Sequence, residues 1–218
     1  MTFNLDNQII TTDGTCSRVV CGLFEIEGGV ETFTNIIRNK RVLLLGAGIP
    51  IVALQAYSHL GYNDPTCIIS MDARYGTNLH DMQPRLDQAL KQYPLEIQER
   101  VKEQLLTANW NDPAFADNLK PFDYILATGS YLYYSNTYTE ESMRTILATL
   151  APGGEFRAEA PYWGVINQQL LNARDFVNSI PGYSAEIRLN ENSEWVDKAA
   201  NIMMPEYLYI LIKRDGEI

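Results

Sequence analysis

The chain has 218 residues, 46% of them hydrophobic and 20% charged, which fits one globular domain with core enough to fold without metal or disulfide staples. Seventeen Lys and Arg against 27 Asp and Glu leave a formal net charge of −10. That surface repels phosphate backbones, so no nucleic-acid partner is expected; it keeps the chain in solution and suits a basic protein or a cationic small molecule.

Three cysteines (Cys16, Cys21, Cys67) lack metal-ligand spacing, and two histidines (His59, His80) are too few for a histidine-rich site, so no metal is expected. The N-terminal MTFNLDNQII has neither the basic start nor the apolar core of a signal peptide. The most apolar stretch, Val42 to Leu54, is too short to span a bilayer and is broken by Gly and Pro. A cytoplasmic protein without a membrane partner is expected.

Residues 1–218 read as one domain. Residues 1–40 carry scattered turn signals (Asp13-Gly14, Gly28-Gly29) and read as a lead-in or cap. From Arg41 onward, short apolar runs alternate with amphipathic stretches, the pattern of βα units around a parallel sheet. Val42-Leu43-Leu44-Leu45 predicts a strand buried on both faces. Gly46-Ala47-Gly48 turns the chain, Pro50 sits where a first helical residue belongs, and Ile51 to Leu60 supplies the helix that Gly61 ends.

Cys67 to Met71 predicts the next strand, closing on Asp72, and a helix follows over 82–93. The segment Leu95 to Ala108 is ambiguous: its first half is rich in helix formers, yet the rhythm demands a strand near Gln104–Thr107. Phe122–Ala127 predicts a strand and Glu140–Leu150 a helix. Ala151-Pro152-Gly153-Gly154 then reads as a turn into a strand over Glu155–Ala160. After a helix over 165–179, two strands are predicted near Ala185–Leu189 and Glu206–Lys213, the latter apolar on both faces and so central. The count is about seven strands, in a Rossmann-like, doubly wound α/β sheet, mostly parallel with an antiparallel last strand.

The glycine turn is the first candidate site, because Gly46 and Gly48 can adopt backbone angles closed to other residues and let a ligand approach the main chain. A plain strand-to-helix turn would look the same. Asp72, 24 residues past Gly48, changes the weight. It ends the second strand, where a carboxylate can accept hydrogen bonds from ribose hydroxyls. A dinucleotide turn needs a third glycine three residues after the second, and Ile51 stands there, so the pyrophosphate fingerprint is incomplete.

These residues resemble the seven-strand, class I S-adenosylmethionine-dependent methyltransferases. Arg41 to Gly48 resembles that family's cofactor loop, Met71-Asp72 its ribose-binding acid, and Asn109-Trp110 the position that contacts adenine. Phe122 to Leu126 resembles the strand leading into the active site, and Leu150 to Gly154 the turn before the fifth strand. The order holds from about Gly28 to the C-terminus. Pro94 to Gln98, Trp110 and Ser130 to Tyr134 look most like the branch containing protein-lysine N-methyltransferases.

The resemblance implies S-adenosyl-L-methionine as cofactor, held by Gly46, Ala47, Gly48, Asp72, Ala73, Asn109, Trp110 and Thr128. Tyr133 and Ser130 are implied as catalytic, and the methyl acceptor as an amine on a protein or a small molecule. Three positions depart from the family: Leu44 where it has an acid near the cofactor's amino group, Pro50 for the third loop glycine, and Ser130 for the Asp of an Asp-x-x-Tyr run.

Methyl transfer from a sulfonium is an in-line displacement that asks mainly for close, collinear placement, with a base needed only when the acceptor arrives protonated. Tyr131, Tyr133, Tyr134 and Tyr138 could present aromatic faces to a cationic amine, although tyrosines are also routine core residues. Glu155, Arg157 and Glu159 share one strand face; Glu159 could meet substrate, but a solvated or ion-paired row is the plainer reading. Trp163 reads as packing or a lid. Two other functions stay open at this point: a methyltransferase-like domain that binds without turnover, and another nucleotide-dependent enzyme such as an NAD(P)-dependent reductase.

Overall fold

Val42, Leu43, Leu44 and Leu45 are all buried, because β1 (Arg41–Leu45) lies inside a seven-stranded sheet covered on both faces. The structure, a computed structural model, describes residues 24, 30–76, 82–117, 119–127, 130–132, 137–161, 168–189 and 207–216. Val42 and Leu44 pack toward α1 (Val30–Ile37), α2 (Ile51–Leu60), α3 (Met82–Leu90) and α4 (Leu95–Glu103). Leu43 and Leu45 point the other way, into a cluster shared with α5 (Glu140–Ala148) and α6 (Gln168–Asn178).

Beside β1 lie β2 (Cys67–Met71) and then the two-residue β3 (Leu105–Leu106); on its other side come β4 (Phe122–Ala127) and β5 (Leu150–Pro161), all parallel. β7 (Tyr207–Arg214) inserts between β5 and β6 (Tyr183–Leu189), antiparallel to both, giving the order β3-β2-β1-β4-β5-β7-β6. Its central place explains why Leu208 to Ile212 are all buried. The chain builds outward from β1 to β3 and then returns to β4, so the topological switch point lies between β1 and β4. Ligands of open α/β sheets bind outside the strands' carboxyl ends at such a point.

Several expectations shift in detail. The lead-in contains a helix: Val30, Phe33 and Ile37 form one buried stripe, at helical spacing, against the sheet. The ambiguous segment is both things in turn, a helix over Leu95–Glu103 and then the short β3. α3 stops at Leu90 rather than 93. Pro50 precedes the helix as its cap residue, with ψ 51°, and its carbonyl accepts from Leu54 N–H.

The run Ala151 to Gly154 is not a turn before β5 but a bulge within it. Leu150 already pairs with Phe122, and Tyr124 pairs with Glu155. Gly154 is required there, since an added Cβ would lie 2.9 Å from the Phe122 and Ala151 carbonyl oxygens.

One buried cation organises the crossing between α2 and β2. Arg100 is only 9% exposed, and its guanidinium donates to the carbonyls of Gly61, Tyr62, Asp64 and Thr66 while lying 4.0 Å over the Tyr57 ring. The Tyr57 hydroxyl accepts from Ile68 N–H (2.8 Å) and donates to Gln104 Oε1. The loop carbonyls would otherwise be buried without donors. Arg100→Met is therefore expected to destabilise the fold by about 3 kcal/mol in urea unfolding, and Arg100→Lys, which cannot fork across both pairs of carbonyls, to recover less than half of that. A loss under about 0.5 kcal/mol would show that the loop holds itself.

Candidate functional site

Where β1 ends, the ladder to β2 continues for one more bond, Ala47 N–H to Met71 O at 3.0 Å. The next amide leaves the ladder: Gly48 N–H donates to Asp72 Oδ2 at 2.9 Å. Gly46 and Gly48 take φ of +61° and +57°, the left-handed region that favours glycine. Asp72 is fixed from the far side too, its own N–H donating to Leu106 O of β3 at 3.1 Å. The two-glycine turn and the acid predicted from sequence are thus in direct contact at the carboxyl edge of the sheet.

Asp72 is 5% exposed, and Arg74 supplies most of its partners. Arg74 Nε donates to Oδ1 at 2.8 Å, Nη2 to Oδ2 at 2.7 Å, and its backbone N–H to Oδ1 at 2.9 Å. Burial pushes the carboxyl up, but the Arg74 hydrogen bonds and charge, with the Gly48 N–H, outweigh it and hold Asp72 below its ordinary value. Sequence reasoning passed over Arg74. The available signal was its place two residues after the acid, where a long cation can fold back onto a turn carboxylate.

Over Gly46 lie protein side chains. A Cβ added there would sit 2.5 Å from Ser130 Cβ and 3.2 Å from the Trp110 ring, so this glycine serves close packing of the chain on itself. Ser130 is buried, and its hydroxyl donates to Leu45 O at 2.6 Å, pinning the segment after β4 to the end of β1. Trp110 meets Tyr131 edge-on at 5.7 Å, and its indole N–H is buried without a hydrogen-bond partner.

The remaining predicted residues divide. Ala73 and Asn109 are exposed beside the site, and Asn109 Oδ1 accepts from Asn111 N–H at 2.9 Å. Thr128 and Tyr133 lie outside the described residues, as do Tyr134 and Trp163. Tyr131 is a core residue, fully buried and hydrogen-bonded to Ser142 Oγ at 2.9 Å, so it offers no ring face to an acceptor. Burial pushes its phenol upward. Tyr138 is half-buried, its phenol raised to about 12 by burial and by Glu140.

On the other side of the loop, Leu44, Ala47, Ile49, Pro50, Val52 and Leu126 line a small apolar hollow between the ends of β1 and β4. Leu44 places no carboxylate in it. The charged row on β5 is ion-paired: Arg157 Nη2 lies 2.6 Å and Lys213 Nζ 3.5 Å from the two Glu155 oxygens, and Arg157 stacks 4.5 Å over Phe24. Glu159 is half-buried opposite Tyr209. Among the described residues no cluster of His, Cys, Asp and Glu could hold a metal, and no helix is long and apolar enough to cross a membrane.

No protein-family model matches this chain, and no curated protein matches it in sequence. Solved structures do match in fold. A putative S-adenosyl-L-methionine-dependent methyltransferase from Methanococcus maripaludis is 11% identical, with 99% of this chain and 92% of that one covered and a TM-score of 0.58. An O-methyltransferase from Bacillus cereus in complex with SAH (S-adenosylhomocysteine) is 10% identical over 97% and 95% of the two chains, with a TM-score of 0.56. An rRNA methylase from Streptococcus thermophilus is 10% identical over 86% and 94%, with a TM-score of 0.53. At these identities the likeness establishes the fold: the Rossmann-like, mostly parallel seven-strand sheet expected from the sequence.

Two measurements check the local geometry. Gly46→Ala adds strain at positive φ to a clash with Ser130 and should cost about 2–4 kcal/mol of stability, partly restored by Ser130→Gly, whereas Gly48→Ala should cost only about 1 kcal/mol. No rescue by Ser130→Gly would show that Ser130 is not what confines Gly46. The Asp72 carboxyl, held low in the fold, stabilises it above its ordinary value of 3.8 and stops doing so as pH falls through the lower folded value. Asp72→Asn should then cost about 2 kcal/mol near pH 7 and progressively less below about pH 4, read from urea unfolding at each pH. A cost independent of pH would mean that charge plays no part.

Proposed function

We propose that this chain is an S-adenosyl-L-methionine-dependent methyltransferase whose cofactor lies along the carboxyl ends of β2, β1 and β4. The observation that carries the proposal is the bond between Gly48 N–H and Asp72 Oδ2, which puts a buried carboxylate and a half-buried turn of backbone together at the mouth of the switch point. A carboxylate there can accept from the two ribose hydroxyls, and the glycine turn lets the nucleoside lie against main chain. The indole N–H of Trp110, buried without a partner, is a donor suited to an adenine nitrogen.

The small hollow at Leu44 and Leu126 lies beside the glycine turn, where aliphatic side chains would border the carbon of the transferred methyl group. The solved structures that share the fold include proteins named as methyltransferases, one of them in complex with SAH.

The bound cofactor would supply an activated methyl carbon, so the chain's own work is to bind and align. Within the described residues Ser130 acts in that capacity, fixing the segment after β4 against β1 through Leu45 O. Tyr133 enters the proposal as the residue that would border the acceptor. For the acceptor we propose an amine, on a protein or a small molecule; with Tyr131 in the core, the support for this is the excess of acid, 27 residues against 17 basic ones, which draws cations to the surface. The shared fold does not choose the acceptor, since similar structures carry the names of an O-methyltransferase and an rRNA methylase.

Calorimetric titration should show SAH and S-adenosylmethionine binding and NADH not binding, and Asp72→Ala should weaken SAH by roughly 10- to 100-fold, the effect of leaving ribose hydroxyls unpaired. Binding of NADH alone would overturn the assignment. With labelled S-adenosylmethionine and cell extract, label should appear on amines; transfer only to hydroxyl or nucleic-acid acceptors would overturn the acceptor class while keeping the cofactor.

A further inference from the structure

A carboxylate has about four lone-pair sites, and those of Asp72 are all taken. Gly48 N–H and the Arg74 backbone N–H fill two, and the Arg74 guanidinium fills the other two at 2.8 and 2.7 Å. The guanidinium also overhangs the glycine turn, for an added Cβ on Gly48 would meet Nη2 at 3.4 Å. The acid that should take ribose hydroxyls and the turn over which the nucleoside should lie are therefore covered by the same side chain. The two backbone donors belong to the fold and stay. The guanidinium differs, because the Arg74 side chain is 38% exposed against 5% for Asp72 and can move outward into water without burying its charge.

We infer that Arg74 is a latch on the nucleoside site, closed when its guanidinium chelates Asp72 and open when it swings to solvent and leaves two carboxylate lone pairs for a vicinal diol. The inference rests on the cofactor reading above and adds to it a residue that sets affinity and selectivity. A ligand must displace a charge-assisted, two-point contact, so only one that returns two hydrogen bonds to Asp72 opens the site efficiently. Adenosyl compounds with both ribose hydroxyls meet this condition, and 2′-deoxy analogues do not. The latch also keeps the buried carboxylate satisfied between ligands, which a bare acid in this position would not be.

The apparent dissociation constant of a latched site is the intrinsic one divided by the open fraction, so removing the latch tightens binding. Calorimetric titration of SAH into the full chain should give roughly tenfold tighter binding for Arg74→Ala, and an intermediate gain for Arg74→Gln, which keeps one donor. A second readout uses the unaltered protein. Raising NaCl from about 0.05 M to about 0.5 M screens the exposed Arg74 charge and should tighten SAH binding several-fold in the wild type, with no such trend in Arg74→Ala. Should Arg74→Ala fail to fold, the salt series on the wild type decides.

Binding of SAH that is unchanged or weaker in Arg74→Ala, or independent of salt in the wild type, overturns the latch and leaves the cofactor assignment standing. Absence of SAH binding in the wild type and in Arg74→Ala alike overturns both.

Discussion

The carboxylate of Asp72 joins three parts of the molecule that the chain keeps far apart. Its backbone is tied to β3, its oxygens hold the turn after β1, and its strongest partner is a side chain on the segment that leaves β2. A buried acid must be compensated on every lone pair, and here the compensation determines the shape of the sheet's carboxyl edge. Gly48, at a left-handed φ, gives its amide to Oδ2 rather than to the ladder.

The same edge is divided by polarity. On the β2 side, charge and hydrogen bonds dominate; toward β4, the side chains of Leu44, Pro50 and Leu126 are aliphatic. Ser130 and Trp110 close the space between by packing on Gly46, a contact whose 2.5 Å clearance leaves no room for any side chain at that position. The two glycines of the turn thus do different work, one admitting a hydrogen bond and the other admitting neighbours.

Most of the fold was legible in the sequence because buried parallel strands announce themselves as continuous apolar runs. Val42 to Leu45, Cys67 to Met71 and Phe122 to Ala127 read as strands and lie in strands. The central place of β7 followed from its two apolar faces. What stayed hidden depended on contacts between distant residues. The β5 bulge is set by carbonyls of Phe122 and Asp123 crowding Gly154, and periodicity carries no trace of that. Arg100 is a buried cap for a loop some 35 residues earlier in the chain, and helix periodicity does not reveal that contact. At the site, the contact of Gly48 with Asp72 was legible from spacing, while Tyr131 stayed open between cleft and core because a tyrosine carries no mark of which its ring faces. Arg74 was missed because motif spacing ranks the acid and ignores what neutralises it.

β3 contains two residues, yet it flanks β2 on its outer side and anchors the Asp72 N–H. So short an edge has few bonds to lose and belongs to the part of a protein that opens first under native conditions. The amides of Ser70 and Asp72, which donate to Gln104 and Leu106, should then exchange with solvent through fluctuations confined to this margin, long before the sheet's interior is exposed. Any molecule that grips the acid would quiet that margin, so occupancy at the carboxyl end would be felt as protection along the sheet's outermost strand.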